Sequence, residues 1–455
     1  MWAALVDAAL LISAFTAAFA VRWGWPPPEY NFQPFKTIAP FMVLADLLLH
    51  FGFGLYVGRT RFTDVVRMLL MSEAVLFIVT LALAFWLRGF AIPRLTLLLG
   101  FAIHLCLLLA WYSFLCRVSQ RNQVVKRVMV VAPEPEATWI VRKYLEDPCG
   151  LYEPVSAADP RYLLRHGMDD CAGIDLIAIG SSVPRADRER LIRLAVQSRI
   201  EVQVLPDLCD ILLQGSSLGQ VSDAPVLNVV PLGLTPVQVV TKRALDLLLA
   251  VPLAICALPV MAVVWVLIKC TSPGPAIYRQ ERVGLNGRVF TLYKFRTMVV
   301  DAEKDTGPVL AKQNDSRITP VGRVLRATRL DELPQLWNVL RGEMSLVGPR
   351  PERPFFVESL SREIPDYWLR HVVRPGITGL AQVMGTYATD PVSKLRFDLL
   401  YIRHYSIFLD LQLLLLSLRA VVSRDSAAGV ASSERDPLSE IAASIVNRSF
   451  TPPAN

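Results

Sequence analysis

Charged residues are scarce in this sequence, whereas hydrophobic residues are abundant. Lysine, arginine, aspartate and glutamate make up 19% of the 455 residues, and hydrophobic residues make up 53%. Because soluble globular domains carry about 25% charged residues, this composition is too apolar for a protein that lies entirely in water. It indicates membrane segments, and the length allows roughly two to four domains.

The sequence also lacks any regular pattern of cysteine or histidine. The seven cysteines and five histidines are scattered, with no CxxC motif and no spacing typical of zinc sites. This pattern argues against a disulfide framework and indicates a reducing compartment. Polar groups inside a membrane can be functional, but we interpret His50 and His104, which lie in or near apolar segments, as packing residues rather than ligands.

The net charge of +7 would suit either nucleic acid or an anionic surface. The basic residues, however, flank apolar segments and an acidic pair described below. This placement favours a cytoplasmic membrane surface and anionic substrates, and it argues against nucleic acid as a partner.

Four long apolar runs fill the first quarter of the chain, and each is close to the ~20 residues that a helix needs to cross a bilayer. They lie at residues 2–21, 38–57, 68–87 and 95–116. Residues 1–120 are therefore predicted to form a four-helix transmembrane bundle. Basic residues are more numerous after the second and fourth runs, which places both ends of the bundle in the cytoplasm.

Residues 127–235 alternate short apolar strands with amphipathic helices. Strands predicted at 128–133, 175–180 and 201–206 indicate a small α/β domain with a parallel sheet. The turn after the first strand contains two prolines and two glutamates instead of the glycines of a GxGxxG motif, which let a backbone approach pyrophosphate. We interpret this domain as structural or regulatory rather than dinucleotide-binding.

The most informative stretch, 328–354, places two adjacent carboxylates, Asp331 and Glu332, in a basic field. An apolar helical pattern follows them, so they are predicted to lie at or just before a helix start. A carboxylate pair can hold Mg²⁺, whose remaining ligands are then phosphates and water, and arginine donates in a fork to phosphate oxygens. The pattern indicates phosphoryl chemistry, although it is also common at solvated helix ends.

Two further motifs make this pattern more specific. TLYKFRTM (291–298) precedes the acidic pair and VRPGITGLAQV (373–383) follows it. With these ordered motifs, residues 241–422 closely resemble the bacterial polyprenyl-phosphate phosphoglycosyl transferases. The whole chain resembles their large monotopic form, the undecaprenyl-phosphate glucose- or galactose-phosphotransferases, which carry a degenerate Rossmann-like module before the catalytic domain.

The resemblance implies a reaction and a set of site residues. Asp331 would attack the sugar-linked phosphorus of a UDP-sugar and release UMP, and undecaprenyl phosphate would then take the phosphosugar from the aspartyl intermediate. Glu332, together with Asp331, would bind Mg²⁺ or Mn²⁺. The other implied residues are Lys294 in the active site and, around phosphate or nucleotide, Arg326, Arg350, Arg296 and Asp398, the last of which could also be a surface acid on an amphipathic helix.

The resemblance further implies a re-entrant membrane helix at 244–268. Pro252 and Pro259 interrupt this run, and proline bends a helix because it donates no backbone hydrogen bond. Relatives usually have serine before the second proline, whereas this chain has Leu258. A helix broken near Pro259 that returns to the same face keeps Asp331 in the cytoplasm, where nucleotide-sugars are supplied, whereas a fifth crossing would place it outside.

The predicted fold class is a membrane protein with four N-terminal transmembrane helices, a degenerate Rossmann-like α/β domain and a C-terminal α+β catalytic domain with re-entrant and interfacial helices. An apolar-faced helix at 408–422 is short for spanning and suits the interface, and 423–455 is predicted to be a flexible tail. The catalytic domain is expected on the cytoplasmic face of the bacterial inner membrane.

The expected partners are a UDP-sugar, undecaprenyl phosphate, inner-membrane lipid and the glycosyltransferases that act downstream in exopolysaccharide, capsule or O-antigen assembly. The identity of the sugar and the formation of a homodimer stay open. Two other hypotheses compete. A membrane-bound nucleotide-sugar-modifying enzyme of the dehydratase type would need a glycine-rich loop and a Tyr-x-x-x-Lys pair, which the sequence lacks. A non-catalytic scaffold would have lost residues such as Asp331 or Lys294, which are present.

Overall fold

The computed structural model describes residues 2–56, 62–86, 93–121, 124–147, 150–168, 171–300, 302, 315–385, 389–422 and 437–450. The chain forms two compact units. The first comprises Met1–Val204 and Pro437–Asn455, and the second comprises Leu205–Asp436.

The first unit begins with four long helices, α1 (Trp2–Trp23), α2 (Glu29–Gly52), α3 (Phe62–Trp86) and α4 (Arg94–Arg121). Each is long and apolar enough to cross a membrane, and they pack as a bundle in which α1 contacts α2 and α4, and α3 contacts the same two helices. Large apolar side chains such as Leu44, Ile78 and Leu98 are exposed on the outside. The predicted apolar helices near the N-terminus are therefore confirmed, and their outer surface suits lipid better than water.

A parallel sheet follows the bundle, as the sequence predicts. Its strands are β1 (Lys126–Val131), β2 (Tyr152–Ala158), β3 (Leu176–Ile179) and β4 (Glu201–Val204), in the order β2-β1-β3-β4. The helices α5 (Glu134–Leu145), α6 (Pro160–His166) and α7 (Arg185–Gln197) connect them. The sequence pattern missed β2, because it is an edge strand with Pro154 inside and its pairing with β1 shifts register.

The protein's own carboxylate fills the crevice at the carboxyl ends of β1 and β3. Glu136 on α5 accepts hydrogen bonds from the Ser181 amide at 2.8 Å, the Ser181 hydroxyl at 2.6 Å and the Ser182 amide at 3.1 Å. Burial opposes ionisation of Glu136, but these hydrogen bonds lower its pKa. Glu136 thus takes the donors that a phosphate group would need at this edge of the sheet.

The second unit is a mixed α/β fold, which confirms the coarse architecture predicted for the C-terminal region. Its helices are α8 (Leu208–Leu213), α9 (Pro236–Thr271), α10 (Pro320–Ala327), α11 (Gln335–Arg341), α12 (Pro354–Glu363), α13 (Leu380–Met384), α14 (Pro391–Arg403) and α15 (Ile407–Val422). The strands are β5 (Ser217–Val221), β6 (Ala224–Asn228), β7 (Ile277–Val283), β8 (Val289–Phe295), β9 (Ser345–Val347) and β10 (Gly376–Thr378). The pairs β5–β6 and β7–β8 are antiparallel, and β9–β10 is parallel.

Residues 205–235, predicted from the sequence as part of the α/β domain, group with the second unit instead. Ile211 on α8 is fully buried in the core of that unit. Arg403 on α14 donates to the carbonyl oxygens of Gln214 and, at 2.8 Å, Val230. The alternating strand pattern ends at β4, and these tertiary contacts, which the pattern does not encode, decide where the connecting segment lies.

The β7–β8 hairpin confirms the turn predicted at Asn286-Gly287. Both residues have positive φ angles, 54° for Asn286 and 76° for Gly287, a conformation that asparagine and glycine adopt most readily. The hairpin brings Tyr278 opposite Lys294 in the strand register.

The segment predicted to enter the membrane is a single uninterrupted helix, α9, which is long and apolar enough to do so and has Pro252 and Pro259 in its interior. The predicted break near Pro259 therefore does not separate two helices. Proline can remain inside a helix at the cost of one backbone hydrogen bond and a bend. Its buried side chains repeat along one face, at Lys242, Asp246, Ala250, Ala257, Val264 and Ile268.

Part of the predicted flexible tail is helical. The helix α16 (Pro437–Phe450) contacts α5 and β2 of the first unit, with Ala442 and Val446 fully buried. Residues 423–436 and 451–455 lie outside the described residues. The apolar positions of α16 are four residues apart, so a short stripe suffices to dock it on the sheet domain.

Candidate active site

The acidic pair lies on a short 3-10 turn, Leu330–Glu332, between α10 and α11. Arg329, immediately before the turn, adopts a left-handed conformation with φ of 57°. Such a conformation costs a non-glycine residue energy and is typical of functional sites. It reverses the chain after α10, so Asp331 and Glu332 precede the start of α11 at Gln335, as predicted.

Asn338 ties the helix after the acidic pair to the strand that carries Lys294. Its fully buried amide donates to the Thr291 carbonyl at 2.7 Å and accepts from the Tyr293 amide at 3.2 Å. These bonds fix α11 against β8. The Lys294 ammonium lies 5.2 Å from the centre of the Tyr278 ring, and its charge acts on both carboxylates. No sequence pattern indicates Asn338, since a buried asparagine is recognisable only from its partners.

Arg350 pairs directly with Glu332, at 2.7 Å from its Nη2 to Oε1. Arg329 approaches the same carboxylate oxygen at 3.6 Å. The turn that carries Arg350 packs backbone against backbone, because a Cβ on Gly348 would lie 2.5 Å from the Arg374 carbonyl oxygen. A Cβ on Gly376 would lie 2.1 Å from the Gly348 nitrogen. The glycines of both sequence motifs therefore bring these two segments together.

The two carboxylates of the pair have opposite electrostatic environments. Burial, reinforced by the charge of Glu332, raises the pKa of Asp331 to about 6. Burial also opposes ionisation of Glu332, but the Arg350 guanidinium outweighs it and lowers the pKa of Glu332. On the opposite side, burial and the charge of Arg282 lower the pKa of Lys294 to about 8. Arg326 adds positive charge near Asp331.

One carboxylate oxygen of Asp331 is not used in a hydrogen bond to any described residue. Its Oδ1 is buried and has no hydrogen-bond partner among the described residues. An unpaired carboxylate oxygen beside a second carboxylate is a suitable donor set for a hard divalent cation, which takes one or two carboxylates and completes its shell with phosphate and water. The residues therefore fit Mg²⁺ or Mn²⁺, with Asp331 offering the freer oxygen because Glu332 is held by Arg350.

Asp398 lies behind the site rather than in it. Asp398, 1% exposed, forms an ion pair with the buried Arg370 at 2.7 Å, and Arg370 donates to the Arg350 carbonyl oxygen at 2.9 Å. Burial, opposed by Arg370, raises the pKa of Asp398 to about 6. Asp398 thus supports the Arg350 backbone through Arg370, a residue that the sequence pattern did not single out.

Arg296 is directed away from the acidic pair. It is 7% exposed and donates from Nη2 to the carbonyl oxygen of Ser272 at 3.0 Å and to its hydroxyl at 2.7 Å. Arg296 follows the last residue of β8, so these bonds hold the end of the strand against the end of α9. Of the sequence-predicted set, the structure gathers Asp331, Glu332, Lys294, Arg326 and Arg350 at one place.

Residues 237–424, which contain this whole arrangement, match the family model of bacterial sugar transferases. UDP-glucose:undecaprenyl-phosphate glucose-1-phosphate transferase of Caulobacter vibrioides is 41% identical over 228 residues, which cover 46% of this chain and 84% of that protein. The chain belongs to the bacterial sugar transferase family. The resemblance inferred from the motifs is thereby confirmed.

Other relatives of this sugar transferase family member carry names with different sugars. UDP-N-acetylgalactosamine-undecaprenyl-phosphate N-acetylgalactosaminephosphotransferase of Aeromonas hydrophila is 44% identical over 192 residues, 42% of this chain and 45% of that protein. Undecaprenyl-phosphate galactose phosphotransferase of Salmonella typhimurium is 38% identical over 200 residues, 41% of each chain. The chain spans about half the length of the first curated relatives that it matches, and family membership alone does not name the sugar.

Proposed function

We propose that this protein transfers a hexose 1-phosphate from a UDP-sugar to undecaprenyl phosphate, through a covalent intermediate on Asp331. The observation that carries the proposal is the buried, unpaired Oδ1 of Asp331 within a group of cationic side chains. An unpaired carboxylate oxygen is available as a nucleophile, and the surrounding cations favour a phosphorylated partner. The names of the relatives supply the class of donor and acceptor.

The chemistry takes two displacements at one phosphorus atom. The Asp331 oxygen forms a bond to the phosphorus that carries the sugar, the bond from this phosphorus to the bridging oxygen breaks, and UMP leaves with the electron pair. A phosphate oxygen of undecaprenyl phosphate then attacks the same phosphorus. The bond to Asp331 breaks, which restores the carboxylate and leaves undecaprenyl-diphosphate-sugar.

Each neighbouring side chain has a role in this scheme. Arg350 keeps Glu332 ionised and, with a side chain 42% exposed, can also reach a phosphate. Lys294 and Arg326 stabilise negative charge that develops on the transferred phosphoryl group. A Mg²⁺ or Mn²⁺ ion held by Asp331 and Glu332 would neutralise charge on the diphosphate.

The anchoring of α9 supports a helix that enters the membrane and returns. Near its start, Arg243 donates to the Val339 and Leu340 carbonyl oxygens at 2.6 and 2.8 Å. Near its end, Val264 and Ile268 pack with Phe295 and Leu325. Because both ends contact one fold, a helix that crossed the bilayer could not satisfy both sets of contacts. We place that fold at the cytoplasmic face of the inner membrane, where UDP-sugars are made.

The proposal is tested by measuring UMP release from a panel of UDP-sugars. Membranes containing the full chain would be assayed with Mg²⁺, with and without undecaprenyl phosphate, for wild type and Asp331→Asn. Glu363→Gln, an exposed acid on α12, is the matched control. We expect lipid-dependent UMP release from one sugar by wild type and the control only. Acid-quenched protein should carry a phosphosugar on the peptide that contains Asp331.

Two outcomes would contradict the proposal at different levels. Release of UMP that survives Asp331→Asn would remove the covalent mechanism and leave the transferase assignment. A folded wild-type protein that releases no UMP from any UDP-sugar would contradict the donor class.

A further inference from the structure

A second cluster of titratable side chains lies inside the helical bundle, outside the candidate active site. Asp46 on α2, Glu73 on α3 and His104 on α4 are 0%, 7% and 0% exposed. One donor atom from each lies within 4.8 Å of the others. The sequence suggested packing roles for the histidines because they are isolated along the chain, but the bundle brings His104 together with two carboxylates from two other helices.

The polar atoms of this cluster do not form hydrogen bonds with one another. The buried Nδ1 of His104 lies 2.6 Å from Oε1 of Glu73, yet neither atom has a hydrogen-bond partner among the described residues, and the same holds for both oxygens of Asp46. Short distances without hydrogen-bond direction are what results when donor atoms face a common point rather than one another. Groups in this state are costly at the depth of a bilayer unless something else satisfies them.

The charges around the cluster leave a deficit of positive charge. His50 lies between two carboxylates, with Nδ1 at 3.0 Å from Asp7 and Nε2 at 3.3 Å from Asp46, and Tyr56 and Tyr112 donate to Asp7 at 2.7 and 2.9 Å. The three carboxylates of Asp7, Asp46 and Glu73 therefore outnumber the two histidine side chains that lie against them, and a divalent cation would balance the excess.

The donor set and its spacing identify the class of ion. Tetrahedral ligands at about 2.0–2.2 Å from Zn²⁺ lie roughly 3.3–3.6 Å apart. The three donor atoms, which lie within 4.8 Å of one another, would therefore have to approach by at most about 1.5 Å to form a coordination shell. Imidazole combined with carboxylates suits Zn²⁺ and neighbouring transition metals, whereas Mg²⁺ and Ca²⁺ take oxygen ligands.

We propose that Asp46, Glu73 and His104 form a binding site for a transition-metal dication within the bundle, with His50, which is hydrogen-bonded to Asp7, lying beside Asp46. The ion would tie α2, α3 and α4 together at the depth of the membrane. The site is separate in the chain from the acidic pair at Asp331, and its existence does not depend on the proposed transferase activity.

The test uses the full chain without a polyhistidine tag, purified in detergent, incubated with Zn²⁺ alone and desalted before metal analysis. The variants Glu73→Gln and His104→Gln remove one donor each. Ser72→Ala is the matched control, because Ser72 is a fully buried polar residue next to Glu73 on the same helix and is not a proposed ligand. Asp331→Asn controls for metal at the active site.

We expect at least one Zn²⁺ per chain in wild type and Ser72→Ala, one in Asp331→Asn, and a decrease of one Zn²⁺ per chain relative to wild type in Glu73→Gln and His104→Gln. Zn²⁺ should also raise the thermal unfolding temperature of wild type. Equal Zn²⁺ content in wild type and His104→Gln would overturn the proposal. A wild-type unfolding temperature that responds to pH but not to Zn²⁺ or EDTA would also overturn it, since protons alone would then satisfy the cluster.

If the two donor variants do not fold, X-ray absorption of the Zn²⁺-loaded wild type decides the question. The expected first shell contains nitrogen and oxygen with the outer-shell scattering of imidazole. A shell of sulfur, or of oxygen without imidazole, would exclude the proposed ligands.

Discussion

Two groups of buried carboxylates in this protein have opposite surroundings, one with more cationic than acidic side chains and one with fewer. Around Asp331 and Glu332, the cations Lys294, Arg326, Arg329 and Arg350 outnumber the acids. Inside the bundle, the carboxylates of Asp7, Asp46 and Glu73 outnumber the two histidines beside them, and the described residues of this cluster include no lysine or arginine. An excess of cationic side chains at the candidate active site favours binding of phosphates, whereas an excess of carboxylates in the bundle favours binding of a metal ion.

The two groups of carboxylates also differ in their exposure to solvent. Arg350 is 42% exposed and Glu332 is 15% exposed, so a polar substrate can enter. The bundle cluster is buried on all sides and surrounded by helices that suit lipid. Under the two proposals, a carboxylate is a reactive group in the first setting and a structural ligand in the second.

At the candidate active site, the largest effect is expected from removing the proposed nucleophile, Asp331. Asp331→Asn keeps the shape of the side chain but removes the negative charge, and we expect UMP release to fall by on the order of 10⁴-fold or more. Glu363→Gln should leave the rate unchanged. A fall of less than about tenfold would show that Asp331 does not form the intermediate.

The buried ion pair behind the site gives the next largest effect, on stability. Asp398→Asn leaves the buried Arg370 without its counterion, and we expect the free energy of unfolding to drop by about 3–5 kcal/mol. Glu358→Gln is the matched control, because its ion pair with Arg362 is exposed and contributes about 0–1 kcal/mol. Chemical denaturation of the purified chain measures both, and equal effects would mean that Asp398 is not held as a buried pair.

Replacing the arginine of the site keeps the charge but removes its forked geometry. We expect Arg350→Lys to lower kcat/KM for UMP release by about 10²-fold, since a lysine cannot hold Glu332 and a phosphate in the same way. Arg362→Lys, at the exposed pair, should have no effect. Wild-type kinetics for Arg350→Lys would show that charge alone suffices at this position.

The smallest expected effect is the pH dependence of activity, which reports directly on the shifted pKa values of Asp331 and Lys294. In the proposed mechanism Asp331 attacks as a carboxylate, so activity should fall as pH drops below about 6, its raised pKa. In the same mechanism Lys294 acts as a cation, so activity should also fall as pH rises above about 8, its lowered pKa. Each limb approaches tenfold per pH unit. In Lys294→Met the alkaline limb should disappear, and its persistence would assign that limb to another group.

Some features of the structure could be predicted from the sequence and others could not, for identifiable physical reasons. The hairpin at Asn286-Gly287 and the turn at Asp331 were predictable because local residue types demand them. The placement of Asp398 and Arg296 was not, because each belongs to a motif yet faces a partner, Arg370 or Ser272, that lies far away in sequence. The tail was expected to be mobile because of its polar composition, but the short apolar stripe of α16 docks part of it on α5 and β2.

By itself, the sequence determined the apolar helices, the parallel sheet and the acidic pair with its basic neighbours, because periodicity, turn residues and ordered motifs are local properties of the chain. Only the tertiary structure decided which charges act on one another. It paired Glu332 with Arg350, left an oxygen of Asp331 without a hydrogen-bond partner among the described residues, and brought His104 to Glu73 and Asp46. The physical reason is that electrostatic and ligand interactions depend on distances between side chains, and packing sets those distances among residues far apart in sequence.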